Sequence, residues 1–82
     1  MVASRGRKGY LMVTYYYQEI PAEGGTRRAV KTTASSLRGA KLIATRSQLF
    51  QRTTLRITDE EGAILSYRDW GDRRWSDVSV IY

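Results

Sequence analysis

Arg38, Lys41, Arg46 and Gln48 stand at a spacing suited to binding chemistry. They lie in SSLRGAKLIATRSQLFQRTTLRI, residues 35–57, which reads as a capped amphipathic helix, a short turn and a strand. Guanidinium and ammonium groups on the outer side of a helix suit carboxylates or phosphates, and a glutamine amide adds a hydrogen bond. No residues for covalent or acid–base chemistry accompany them. The chain has no cysteine and no histidine, which removes thiolate chemistry, disulfides and the commonest general base and metal ligand. GxSxG, GxxxxGK[ST] and HExxH do not occur. Asp59, Glu60 and Glu61 are adjacent acids, and Asp69, Asp72 and Asp77 cluster near the last turn. A cation site needs several converging oxygens, so both groups read as solvated turns. The expectation is a non-enzymatic protein with no cofactor or metal, acting through a basic surface.

Other cations flank the helix. Arg27, Arg28 and Lys31 precede it, and Arg52 and Arg56 follow; these are secondary or nucleic-acid contact candidates. The 82 residues carry 14 Lys/Arg against 8 Asp/Glu, a net charge of +6. Such a balance favours a polyanion or an acidic protein surface. Arg5, Arg7 and Lys8 supply part of it, and without them 11 cations face 8 anions, a net of +3. No run of about 18 apolar residues exists to span a membrane, and the first residues lack the apolar core of a signal peptide.

The elements that position these side chains follow from pattern. Residues 1–9 read either as a mobile basic arm or as an extension ahead of a start at Met12, and residues 10–82 as one domain. Residues 11–20 are aromatic and β-branched and predict a strand stopped by Pro21, with turn residues at Ala22–Gly25. Residues 26–33 predict the return strand of a hairpin, cationic enough to be solvated or at an edge. The helix is expected from Ser35 or Ser36 as N-cap to near Gln48. At 100° per residue, Leu37, Ala40, Ile43, Ala44 and Ser47 share an arc of roughly 120°, the core face. Leu42 and Leu49 fall on the outer side with the charges. Gly39 costs the helix about 1 kcal/mol against alanine, so the helix depends on packing. Residues 53–58 alternate, with Leu55 and Ile57 inward and Arg56 outward; residues 63–68 and 75–82 predict two further strands. The order ββαβββ with short connections argues for an α+β fold, a five-stranded antiparallel sheet with one helix packed across one face.

The aromatic residues suggest contact as well as core. Tyr15, Tyr16 and Tyr17 are consecutive, and strand alternation forbids all three from facing inward. Alternation with Leu11 and Val13 favours Tyr15 and Tyr17 inside. Exposed tyrosine beside arginine serves both protein interfaces and base stacking. An RNA-recognition sheet would need a second helix and RNP motifs, which are missing.

Tyr15-x-x-x-Glu19, Ser36-Leu37-x-x-Ala40-Lys41-x-x-Ala44, Gln48-x-Phe50-x-x-Thr53-x-Leu55-x-Ile57 and Gly62 together resemble a small family of phage-encoded anti-CRISPR proteins. These inhibit type I surveillance complexes (Cascade), particularly of type I-F, with type I-C as another candidate. The likeness spans about residues 13–70. It implies a five-stranded sheet wrapped on one helix, cytoplasmic action in an infected bacterial host, and docking of a monomer on the Cascade backbone subunits that blocks target DNA. It further implies contacts by Tyr15, Lys41, Arg46 and Gln48, with Lys41 and Arg46 pairing to acidic groups. That role for Tyr15 asks for an outward side chain, against its inward alternation, and both readings stand at this level. Arg46 replaces a lysine of the family pattern, Gln51-Arg52 replaces a short polar residue and glycine, and the Trp70–Trp75 turn is extra. A sequence-nonspecific nucleic-acid-binding module is the alternative reading, with DNA as its partner.

Overall fold

A computed structural model describes residues 12–25 and 27–78. Its strands are β1 (Val13–Pro21), β2 (Val30–Ala34), β3 (Thr53–Thr58), β4 (Ile64–Arg68) and β5 (Ser76–Asp77), with one helix, α1 (Leu37–Ser47), between β2 and β3. The strands form one antiparallel sheet in the order β2-β1-β3-β4-β5. The expected α+β fold is therefore observed: five antiparallel strands and a single helix.

Pro21, expected to stop the first strand, is its last residue, and two boundaries shift by more than two residues. The return strand starts at Val30 rather than residue 26, because β1 and the returning chain part at the hairpin mouth. There the Arg27 N–H donates to the Glu19 carbonyl at 3.4 Å, and the Gln18 side-chain amide donates to the Arg27 carbonyl at 2.7 Å. A side chain thus replaces a backbone rung. The last strand covers only Ser76–Asp77 among the described residues, and the Val78 N–H closes onto the Leu65 carbonyl at 2.9 Å. The proposed arm at residues 1–9, Leu11, and the end of the predicted last strand at 79–82 lie outside the described residues.

Ser36 caps α1 from an extended conformation, its hydroxyl accepting the Gly39 N–H at 3.2 Å. A β-carbon at Gly39 would stand 3.2 Å from that of Ala34, so the residue that weakens the helix also lets it approach the end of β2. Ala40 and Ala44 bring the helix close to the sheet, and Leu37 and Ile43 flank them. Beneath lie Tyr15, Leu55 and Ile57. Burying an aliphatic side chain such as Leu55 contributes about 1.5 to 3 kcal/mol.

The register fixes the two faces. Tyr17 pairs with Ile57 and Glu19 with Leu55, so these share the helix side. Gln18 pairs with Arg56 and Arg56 with Tyr67, so that row points to the other side, as does Tyr16 opposite Lys31. A register shift between Ile57 and Thr58 bends the β3–β4 pair toward its turn. In that turn Asp59 Oδ1 accepts the N–H groups of Glu61 and Ala63, both at 2.9 Å. The acidic turn thus spends a carboxylate on backbone amides, which fits its reading as a turn.

Candidate functional site

Alpha1 presents its outer side through Arg38, Leu42 and Arg46, all exposed, with Leu42 at 53% of its full accessibility. Arg46 lies in the last helical turn, where a cation is favoured by the partial negative charge of the carbonyl ends. A two-arginine, one-leucine surface can pair with carboxylates and bury an apolar patch in the same contact.

Lys41 and Gln48, expected beside them, sit on the flanks. Lys41 Nζ lies 2.7 Å from Asp77 Oδ1, tying the helix to β5. Ser66 Oγ donates to the same oxygen at 2.7 Å. The hydrogen bond from Lys41, then that from Ser66, hold the Asp77 carboxyl below its ordinary value of 3.8. Gln48 follows the helix and donates through Nε2 to Thr53 Oγ1 at 3.0 Å and to the Thr53 carbonyl at 3.4 Å. Both side chains are engaged internally because the α1 flanks face the edge strand and the turn into β3. Tyr15 follows the inward register. At 7% exposure it belongs to the core, so the contact role implied for it does not match its position.

The remaining cations separate into three places. Arg56 and Lys31 are on the sheet face opposite the helix. Arg56 donates to Gln18 Oε1 at 2.8 Å, while its Nε is buried without a partner. Arg52 is exposed in the turn before β3, at a positive φ of 60°. Arg27 and Arg28 are exposed at the mouth of the first hairpin. Among the described residues these cations do not share one face.

The tertiary structure adds a constellation that pattern does not reveal. Glu19, 8% exposed, points its carboxylate at the turn after α1. Oε2 accepts the Leu49 N–H and Oε1 the Phe50 N–H, each at 3.0 Å, and the Thr53 hydroxyl also reaches Oε1 at 3.0 Å. The Arg27 guanidinium lies 3.6 Å from the centre of the Phe50 ring, a cation–π contact. Leu49 beside it is 81% exposed. Between them opens a cleft of about 300 Å³, also bordered by Val30 and Arg28. Position on the outer helix side marked Leu49 in the sequence, but the cleft it shares with Arg27 depends on the contact of Arg27 with Phe50, 23 residues apart in sequence. A second groove of about 510 Å³ runs past Gln48, Trp70 and Arg73. Among the described residues no cluster of three acids is placed to hold a metal ion. No described helix is long and apolar enough to cross a membrane.

No protein-family model matches the chain, and no curated protein matches it. Among solved structures, AcrIF9 superposes with a TM-score of 0.77 at 30% identity, over 88% of this chain and 93% of its own. The chain belongs to the AcrIF9 family of anti-CRISPR proteins. The match spans nearly all of AcrIF9.

Proposed function

We propose that this AcrIF9 relative binds the backbone subunits of a type I CRISPR–Cas surveillance complex, of type I-F or I-C, as a monomer and stoichiometric inhibitor, and thereby blocks target DNA. The likeness to AcrIF9 over almost the whole of both chains carries the reading. The site of action is the cytoplasm of the infected bacterial host. Arg38, Leu42 and Arg46 form the leading contact surface, with Lys41 and Gln48 as its flanking members. Exposed arginines beside an exposed leucine favour a protein surface carrying carboxylates over bare nucleic acid.

The test is capture of purified surveillance complex, with and without target DNA, by the wild-type chain and by Arg38→Glu combined with Arg46→Glu. Reversing both charges should cost several kcal/mol of affinity if the pairs are desolvated and under about 1 kcal/mol if they lie on the rim. Thermal stability should change little, since neither side chain has an ion-pair partner among the described residues, and the loss of a cation in the last helical turn at Arg46 is offset by an acid gained in the first turn at Arg38. Lys41→Glu is a poor probe, because it sets two carboxylates together at Asp77. Undiminished capture by the double variant rejects the helix face as the contact, and no capture by wild type rejects the reading.

The nucleic-acid alternative draws on the uncovered sheet face, where Tyr16, Lys31, Arg56 and Tyr67 lie without a carboxylate among their cross-strand partners. It predicts DNA binding by the isolated protein that falls steeply with salt. A flat salt response excludes it.

A further inference from the structure

We propose that the cleft between Arg27, Phe50 and Leu49 is a second docking site for protein, accepting one apolar side chain flanked by carboxylates. It adjoins the C-terminal end of α1 at Ser47 and deepens the preceding reading, on which it rests for the identity of the partner.

The backbone of the cleft walls is held before anything binds. Glu19 holds the Leu49 and Phe50 amides from below. Arg27 is held through its own backbone by the Glu19 carbonyl and the Gln18 amide. A preorganised wall loses little conformational freedom on association, which is what lets a small contact bind.

The chemistry inside points to one class of occupant. Leu49 and Val30 are exposed apolar side chains at the opening. Arg27 and Arg28 bring two positive charges, and neither has a carboxylate partner among the described residues. Glu19, the acid at the cleft, has both oxygens committed to the turn. The cleft is therefore apolar and cationic, and charge complementarity selects an acidic partner. Its volume, at the lower end for a ligand pocket, has room for an apolar side chain and the carboxylates beside it. A nucleobase is a poorer fit, because the Arg27 guanidinium already covers a face of the Phe50 ring.

The test measures binding of the full chain to purified surveillance complex for Leu49→Asp and Arg27→Glu, with thermal stability recorded for each. Both side chains are exposed, so the fold should survive. Each variant should bind about tenfold more weakly or worse, as expected for an interface anchor. Arg27→Lys, which keeps charge but loses the planar contact, should fall between. Wild-type affinity in Leu49→Asp and Arg27→Glu overturns the proposal while leaving the helix-face reading intact. If the wild-type chain captures no complex, the preceding reading fails, and an NMR titration of the isolated protein decides the cleft. The probes are a five-residue peptide with one leucine between glutamates and its alanine counterpart. Shifts at the amides of residues 27–30 and 49–50 with the leucine peptide alone support the cleft. No shift there, or a larger one with a single-stranded oligonucleotide, overturns it.

Discussion

Replacing Glu19 with glutamine tests how the turn after the helix is held. Two backbone N–H groups, of Leu49 and Phe50, end on the two carboxylate oxygens at 3.0 Å. The Thr53 hydroxyl is a third donor, but it has one proton and a second acceptor, the Phe50 carbonyl at 3.1 Å. It can turn away, so the two amides decide the outcome. Glutamine keeps one carbonyl oxygen and places an NH2 where the other stood. One amide then faces a donor, loses a bond to a charged acceptor and is left unsatisfied in a half-buried site. Bonds of that kind contribute about 1.5 to 3 kcal/mol each, so the expected loss is about 2 to 3 kcal/mol. For a domain of this size that lowers the thermal midpoint by about 10 to 20 °C. Urea denaturation with the m-value held constant measures the loss, and amide exchange should quicken first at Leu49 and Phe50. A change under about 0.5 kcal/mol, the level of an ordinary surface substitution, would refute the account of Glu19 as the organiser of the turn.

Two further outcomes follow from the described contacts. The folded Asp77 carboxyl titrates below 3.8, held there by Lys41 first and Ser66 second, so its contribution is present above 3.8 and is lost as pH falls through the lower folded value. Asp77→Asn should therefore be less stable than wild type near about pH 7, with the gap closing on acidification; a gap that widens toward acid contradicts the sign. Arg52→Gly relieves a left-handed backbone at φ 60° but loosens the unfolded chain, for a net gain of about 0.5 to 1 kcal/mol in urea unfolding; a loss would show that the Arg52 side chain stabilises the turn.

The sequence by itself settled the α+β fold because its signals are local. Ser36 caps, small residues recur at helical spacing through Ala40 and Ala44, and Leu55 and Ile57 alternate, each from chemistry within a few residues. Local pattern also put Leu42 and Leu49 outside, and it favoured Tyr15 and Tyr17 on the core side. It left open which tyrosines face out, since three in a row satisfy either alternation until a register chooses.

Long-range pairing decided the rest. Helical spacing placed Lys41 and Gln48 with Arg38 and Arg46, yet spacing cannot know that Asp77 stands 2.7 Å from Lys41 or that Thr53 takes Gln48. The return strand began late because the Arg27 carbonyl met the Gln18 side-chain amide rather than a backbone N–H. Glu19 looked like an ordinary strand acid, and only the paired strands and the helix end bring it under Leu49 and Phe50. Sequence periodicity fixes which way a side chain points from its own element. What that side chain then meets depends on how the elements are brought together, across 30 or more residues for Glu19 and 5 for Gln48, and that the tertiary structure alone supplies.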